Sequence, residues 1–246
     1  MDNYQLKQSL SAKTMRYTLK SDPYSSHSQI ATWLKRYKTQ VIPARPCVIY
    51  DIGCAQGLLG QLLEPSDFVM FGVDADMTAV QRVGLIYQKA VHADIEGPLT
   101  FSFPQPPDVL VLADVLEHTR EPAHCLDRLC RTYLTPGTVV VISLPNVAHL
   151  YVRLSLLMGR FEYTERGILD RTHFHFFTLA SALRLVQGCG ITVNQVATTP
   201  VPLALVNPLF EEGRLLWPLH HLQANLAQFF KTLLGYQVII YGVYNP

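Results

Sequence analysis

Carboxylates stand near the ends of apolar runs in this chain, and a glycine turn follows the first of them. An apolar run that begins at Cys47 ends in the carboxylate of Asp51 and then breaks into a turn bounded by Gly53 and Gly57. Glycine lets a backbone approach a ligand that side chains would exclude, and ligands of open α/β sheets bind beyond the carboxyl ends of the strands. Ala55 replaces the middle glycine of a dinucleotide-binding motif, and Asp51 would repel a pyrophosphate. The turn therefore favours a ligand that carries positive charge.

A second carboxylate, Asp74, ends the apolar run 68–74. A carboxylate at the end of the second strand can accept hydrogen bonds from both hydroxyls of a ribose. A third, shorter run at 90–95 contains Asp94 and Ile95. We therefore expect Asp74 to hold a ribose, with the third run beside it.

Two further segments complete an ordered series of strand ends. Residues 107–118 are mostly apolar and end in the sequence VLEH, and residues 134–143 carry a Pro-Gly turn before another apolar run. Together with the three earlier runs, these segments resemble the class I S-adenosylmethionine (SAM)-dependent methyltransferases. The resemblance implies that SAM is the cofactor and S-adenosylhomocysteine (SAH) the product.

The same resemblance implies a role for each strand end. Asp51 is expected to meet the α-amino group of SAM while amides of the glycine turn meet its carboxylate. Asp94 is expected to bind the adenine amino group, and Ile95 to lie against the ring. The residues expected to contact the cofactor are Asp51, Gly53, Cys54, Ala55, Gly57, Asp74, Ala75, Asp94, Ile95, Ala113 and Asp114.

Strand-like and helix-like segments alternate from Cys47 to Ser143, as expected for a parallel sheet with helices on both faces. The predicted fold class is α/β, a Rossmann-like class I methyltransferase fold. Its sheet is expected to be mostly parallel and seven-stranded, with an α-helical insert and a C-terminal addition. We expect one domain over 1–246, divided into a helical N-terminal cover (1–46), a SAM-binding core (47–143), an acceptor-side insert (144–190) and C-terminal strands with a helical insertion (191–246).

The insert carries a second, narrower resemblance. Residues 143–149 and 167–178 are similar to a bacterial methyltransferase subgroup that acts on glycans and small molecules. They are also similar to the methionine-biosynthesis protein W family and to ubiquinone-type O-methyltransferases. His175 stands where that subgroup usually has an arginine. The resemblance implies a small-molecule or glycan acceptor.

A hydroxyl acceptor would need a general base, and histidine is suited to that role because its ordinary pKa lies near neutrality. His173 is the first candidate and His149 the second, since both lie in segments expected above the transferred methyl group. The alternative for His173 is a structural turn in which Asp170 caps and Arg171 pairs nearby.

Three other histidines could in principle ligate a metal ion. Glu117 and His118 are adjacent, and adjacent side chains are not expected to converge on one ion as histidines four residues apart do. Hydrogen bonding at a helix end is the expected role. His220 and His221 are expected to form a surface pair, because no acidic or cysteine partner stands at ligand spacing. No metal site is predicted.

Two other functions remain open at this point. One is a SAM-binding regulatory or partner protein that has the methyltransferase fold but no turnover of its own. The other is a nicotinamide-dependent dehydrogenase, which Ala55 and the missing second glycine disfavour.

The composition indicates which partners the protein could bind and in which compartment it is expected. The net charge of +1 leaves no electrostatic footprint for nucleic acid. The 5 cysteines form no C-x-x-C pair and indicate reduced thiols, and neither a secretion signal nor an apolar run long enough to span a membrane stands out. A cytoplasmic protein is therefore expected. Residues 215–234 have a helical rhythm and are expected to form core, lid or homodimer contacts.

Overall fold

Seven strands form one sheet in the computed structural model, which describes residues 22–84, 86–205 and 207–246. The predicted seven-stranded sheet is thus confirmed. In chain order the strands are β1 Cys47–Ile52, β2 Phe68–Asp74, β3 Lys89–His92, β4 Val109–Ala113, β5 Val139–Pro145, β6 Ile191–Thr199 and β7 Gln237–Tyr244.

The sheet has the order β3-β2-β1-β4-β5-β7-β6. Strands β1 to β5 pair in parallel, whereas β7 runs antiparallel to both β5 and β6. The parallel strands place their carboxyl ends at one edge, and at that edge Ile52 of β1 lies between Val73 and Leu112. The strand order reverses at β1 and β4, which is where open α/β sheets bind ligands.

Helices cover both faces of the sheet. They are α1 Ser26–Val41, α2 Leu58–Gln61, α3 Met77–Val83, α4 Pro122–Tyr133, α5 Leu150–Leu157, α6 Leu179–Gly188, α7 Trp217–Phe229 and α8 Lys231–Leu234, with 3₁₀ turns at Leu116–His118, Leu203–Leu205 and Pro208–Phe210. Local sequence sets several of their starts. The Ser25 side chain accepts a hydrogen bond from the amide of Ser28, and Thr178 and Ser181 form a reciprocal capping box.

Two apolar layers hold the helices to the sheet. Leu126 of α4 and Ala182 of α6 pack on one face, while Ile30 and Leu34 of α1 pack on the other. Burial of one such leucine or isoleucine side chain contributes about 1.5–3 kcal/mol. Strand β1 is buried on both sides, which explains its nearly continuous apolar run.

The insert between β5 and α6 has a small apolar cluster of its own. Val152, Ile168 and Leu169 are buried together there. The backbone bridge between Asn146 and Phe177 ties both ends of the insert to the sheet edge. The insert therefore folds back over the carboxyl ends of the strands.

Several element boundaries differ from the sequence expectations. Strand β3 ends at His92, so Asp94 lies in the following loop. The helical stretch expected at 215–234 divides at Phe230 into α7 and α8. Helix α1 begins at Ser26, within the range expected for the helical N-terminal cover, and the part of that range before residue 22 lies outside the described residues. Among the described helices, none is long and apolar enough to cross a membrane.

Candidate functional site

One large cavity of about 860 Å³ opens at the carboxyl edge of the sheet. That volume is within the range of small-molecule and cofactor sites. Its walls come from the loops after β1, β2, β3 and β4, from the insert, from residues at the start of α1, and from residues at and after the end of β6. The cavity thus joins the predicted cofactor loops to the predicted acceptor side.

The turn after β1 has the backbone shape that its glycines suggested. Gly53 has φ +73°, and a Cβ atom there would overlap Cγ2 of Val115. Gly57 has φ +71°, but a Cβ atom there would meet the ring of Tyr87, and Gly57 does not line the cavity. Both glycines therefore permit internal packing, and of the two only Gly53 also lines the cavity.

The amides of this turn are not directed at the cavity as expected. The N–H groups of Gly53 and Cys54 both donate to the carbonyl of Val73, and the Ala55 N–H donates to Oδ2 of Asp74 at 2.7 Å. These bonds attach the turn to β2. The expectation that these amides bind the ligand's carboxylate is therefore wrong for this conformation, although Gly53, Cys54 and Ala55 all line the cavity.

Asp51 is the second correction. The alternation of β1 turns its side chain toward the face that holds Tyr87, whose hydroxyl donates to Oδ2 of Asp51 at 2.5 Å. Burial raises the pKa of Asp51 to about 7, although the Tyr87 hydrogen bond acts to lower that pKa. Asp51 does not line the cavity, so the structure does not bring it to the position expected for contact with an α-amino group.

Asp74, the expected ribose ligand, accepts hydrogen bonds from two backbone amides. Its Oδ2 accepts from the Ala55 amide, and its Oδ1 accepts from the Asp76 amide at 2.8 Å. A carboxylate oxygen has two acceptor sites, so each oxygen keeps one for a ligand. Asp74 and the next residue, Ala75, both line the cavity.

The loops after β3 and β4 supply the adjoining walls. Asp94 is exposed and accepts from the Glu96 amide at 2.9 Å, and Ile95 beside it is buried. Asp114 has φ +59°, and its Oδ1 accepts from Ser143 Oγ and Gln237 Nε2, each at 2.8 Å. Asp94, Ile95, Ala113 and Asp114 all line the cavity, as predicted.

Three side chains of the acceptor side converge in the same cavity, and we call Glu117, His118 and His173 the Glu117 cluster. One potential ligand atom from each lies within 4.8 Å of the other two. The expectation that Glu117 and His118 cannot converge is wrong. The prediction did not include His173. The insert brings His173 to this pair, because the amides of Phe174 and His175 donate to the carbonyl of Glu117.

Glu117 is the unusual member of the cluster. It is 1% exposed, and neither carboxylate oxygen has a hydrogen-bond partner within the described ranges. Burial, and secondarily the charge of Asp114, raises the pKa of Glu117 well above its ordinary value. A buried carboxyl group without a partner is costly, so this one requires a chemical explanation.

The two imidazoles present the same nitrogen to the cluster. Nδ1 of His118 lies 3.2 Å from the carbonyl oxygen of Thr172, and Nδ1 of His173 lies 3.2 Å from that of Ile168. A carbonyl can only accept, so each Nδ1 carries the proton in these bonds and each Nε2 keeps its lone pair. Burial, followed by the effect of His118, lowers the pKa of His173, which favours its neutral form.

His149, the second candidate base, lies elsewhere. It is buried, and its Nδ1 accepts from the Tyr151 amide at 3.2 Å, so it caps helix α5. It does not line the cavity. Burial also lowers the pKa of His149, and its role in this structure is to start a helix.

The N-terminal side of the cavity contains residues that no sequence pattern indicated. His220 is fully buried, and its Nε2 lies 3.0 Å from Oδ2 of Asp22, while His221 contacts the hydroxyl of Tyr24. The predicted surface pair is therefore wrong for His220. Asp22 and Tyr24 line the cavity. No local pattern could reveal this pairing, because its partners stand 198 positions apart in the chain.

Comparison with known proteins agrees with this architecture. The profile of a family described as a methyltransferase domain matches residues 24–196, more than half of the chain. No curated protein sequence matches the chain significantly.

Solved structures share the fold at low sequence identity. The plantazolicin methyltransferase BpumL in complex with SAH is 16% identical with a TM-score of 0.59, and the match covers 100% of this chain and 91% of that one. The magnesium protoporphyrin IX methyltransferase of Synechocystis PCC 6803 with bound SAH is 13% identical with a TM-score of 0.58, covering 90% and 83%. A SAM-dependent methyltransferase from Archaeoglobus fulgidus is 18% identical with a TM-score of 0.53, covering 89% and 95%.

The mostly parallel seven-stranded sheet agrees with the fold match to these neighbours. The sheet order, the cavity at the carboxyl edge and the family match lead to one conclusion. The chain belongs to the methyltransferase-domain family, and it is a SAM-dependent methyltransferase with the class I fold.

Proposed function

We propose that this enzyme transfers the methyl group of SAM to a hydroxyl of a small-molecule or glycan acceptor held beside the Glu117 cluster. The observation that carries the proposal is that Asp74 and His173 line one and the same cavity. A cofactor bound at the strand ends and an acceptor bound against the insert would then face each other.

The cofactor side fits an adenosine-containing ligand. Asp74 keeps one acceptor site on each oxygen for the two ribose hydroxyls, and Gly53 lines the same cavity. We assign adenine to Asp94 and Ile95, the exposed acceptor and the apolar wall next to it. Asp51 supports this site from beneath, through Tyr87, without touching the ligand.

Bound SAM supplies a methyl group already activated by a sulfonium. The chain's own task is to hold the acceptor oxygen in line with that methyl group and to exclude water. A hydroxyl must also lose its proton during transfer, and the Glu117 cluster is the group of side chains placed to assist. His173 is its candidate proton acceptor, because its Nε2 has a free lone pair in this structure.

The proposal that the acceptor group is a hydroxyl rests only on the side chains of the Glu117 cluster. The solved neighbours act on chemically different acceptors, since their names include a porphyrin methyltransferase, a plantazolicin methyltransferase and a carbon methyltransferase. A homodimer and a cytoplasmic location stay predictions from the sequence.

Two variants tested together distinguish the proposed cofactor-binding role of Asp74 from the proposed proton-acceptor role of His173. After a screen of sugar, nucleotide-sugar and phenolic hydroxyls has found an acceptor, His173→Gln should keep SAH affinity and lower turnover by ~10²–10⁴. Asp74→Ala should instead weaken SAH binding more than about tenfold, because it removes charged hydrogen-bond acceptors. Calorimetry and a methyl-transfer assay provide the two readings.

His175→Gln is the matched control, since His175 is half-buried and its Nε2 contacts the carbonyl of Arg120, and neither residue lines the cavity. Full turnover in His173→Gln would remove the cluster from the reaction. Loss of SAH binding in that variant would place His173 in the cofactor site instead.

A further inference from the structure

We infer that the Glu117 cluster is a binding site for one divalent transition-metal ion, with Zn²⁺ as its test ion. One carboxylate oxygen of Glu117 and one ring nitrogen each of His118 and His173 lie within 4.8 Å of one another. We assign Nε2 as the ligand atom of both rings, because each Nδ1 contacts a backbone carbonyl. The binding of the ion stands independently of the methyl acceptor. Its use in catalysis rests on the function proposed above.

The first support is the unpartnered carboxyl group. Glu117 is buried at the wall of the cavity, yet both of its oxygens lack a donor among the residues that the structure describes. Folded proteins rarely leave such atoms without compensation, and a bound cation is one established form of it. Asp114 and Asp170 are close enough to act electrostatically on Glu117, so further negative charge favours a cation here.

The second support is the orientation of the imidazoles, which is independent of Glu117. Histidines that ligate metals usually donate the other ring N–H to a backbone carbonyl or carboxylate, which fixes the ring and its tautomer. His118 donates to Thr172 and His173 to Ile168. Both rings are therefore already fixed, with Nε2 as the remaining ligand atom.

The third support is distance. Ligands at about 2.1 Å from one ion lie about 3–4 Å from each other. The potential ligand atoms of the cluster lie within 4.8 Å, so small side-chain rotations close the set. His118 is exposed and can make such a rotation without disturbing the core.

The ligand types indicate the class of ion and its use. Two imidazoles and one carboxylate suit Zn²⁺ and similar first-row divalent ions better than Mg²⁺ or Ca²⁺. Three protein ligands leave open positions toward the cavity. An acceptor hydroxyl bound there would become more acidic, as metal-bound water does, so an acceptor able to ligate the ion is favoured. With the ion bound, Nε2 of His173 is a ligand and the proton of the hydroxyl passes to solvent, so His173 is the proton acceptor only in the metal-free enzyme.

The test is a calorimetric titration of Zn²⁺ into the full chain after dialysis against a chelator. Wild type and His175→Ala should each bind one ion per chain with the same affinity. Glu117→Gln and His118→Ala should bind at least about 10–100-fold more weakly, the loss expected even for an outer-shell partner. Co²⁺ added in place of Zn²⁺ should give a visible absorption band that both variants lose.

Thermal unfolding in the absence of metal checks that each variant is folded, and the exposed His118 provides a test if Glu117→Gln is not. Equal Zn²⁺ binding by wild type and folded His118→Ala would overturn the inference, as would no binding by wild type. SAH is titrated into the same metal-free samples. SAH binding without Zn²⁺ binding would refute the metal site alone, whereas loss of SAH binding by wild type would refute the proposed function.

Discussion

At the scale of single residues, the charge of Asp51 is the most unusual property of the cofactor side. Its carboxyl group is buried with only the Tyr87 hydroxyl as its hydrogen-bond partner among the described side chains. The pKa of Asp51 is about 7 in the folded chain, against an ordinary value of 3.8. A raised folded-state pKa means that the folded chain holds this proton more tightly than the unfolded chain does.

Asp51 should therefore make stability fall as pH rises from about 4 to about 7. Asp51→Asn keeps an acceptor for Tyr87 but cannot ionise, so the variant should gain relative to wild type as pH rises. The difference between the two free energies of unfolding should change by up to about 4 kcal/mol between pH 4 and pH 8. Urea unfolding of both proteins at several pH values measures it. A difference that stays constant with pH would show that Asp51 is not titrating in this window.

At the scale of elements, the turn after β1 depends on Gly53 for two reasons that can be separated. Its positive φ disfavours any side chain, and Val115 occupies the space of a Cβ atom. Gly137 also has a positive φ, of +97°, but a Cβ atom added there would have none of the described atoms within 4 Å. An alanine at either position would therefore have the same kind of backbone strain, but only at Gly53 would its Cβ atom also clash with a neighbouring side chain.

We expect Gly137→Ala to cost about 1–2 kcal/mol of unfolding free energy, the strain alone. Gly53→Ala should cost more and should also lower SAH affinity by at least about tenfold, because the turn must move away from Val115. Chemical denaturation and SAH titration of both variants make the comparison. Equal stability losses with normal SAH affinity in Gly53→Ala would show that the contact with Val115 is relieved cheaply.

Local sequence signals were sufficient for most of the sheet. The apolar runs that contain Asp51 and Asp74 correspond to β1 and β2, because parallel strands that are buried on both faces consist of nearly continuous apolar residues. The same signals placed Asp74 and Asp94 in the cavity. The local signals failed for Asp51. The prediction used only its position near the end of a strand and ignored that side chains alternate between the two faces of a sheet, which points Asp51 away from the cavity.

The sequence could not reveal features that depend on distant segments. Glu117 and His118 become a cluster only when the insert returns His173 to them. Similarly, the amides of Gly53 and Cys54 are used by β2, which follows later in the chain. Such contacts depend on how elements pack, and no local spacing encodes them.

At the scale of the whole molecule, the buried pair of His220 and Asp22 joins helix α7 to the segment before α1, which are far apart in the sequence. Tyr24 stacks on Trp217 beside it, with ring centroids 5.4 Å apart. This contact holds α7 against the segment before α1, and that segment lines the cavity. The cavity wall therefore depends on residues from both ends of the described sequence.

We expect His220→Ala to lower the free energy of unfolding by about 1–3 kcal/mol, because Asp22 would remain buried without its partner. His221→Ala is the matched control, since that variant loses only an exposed contact with Tyr24. Urea unfolding at one pH compares the two. A loss as large in His221→Ala as in His220→Ala would contradict the importance of the buried pair.

A crystal structure of the full chain with SAH bound tests the central claim most directly, because that claim concerns two ends of one cavity. The account predicts that the ribose hydroxyls contact Asp74 and that adenine lies between Asp94 and Ile95. It also predicts that the sulfur faces the Glu117 cluster across the space left for an acceptor. A ribose bound away from Asp74, or a sulfur directed away from His173, would contradict the account.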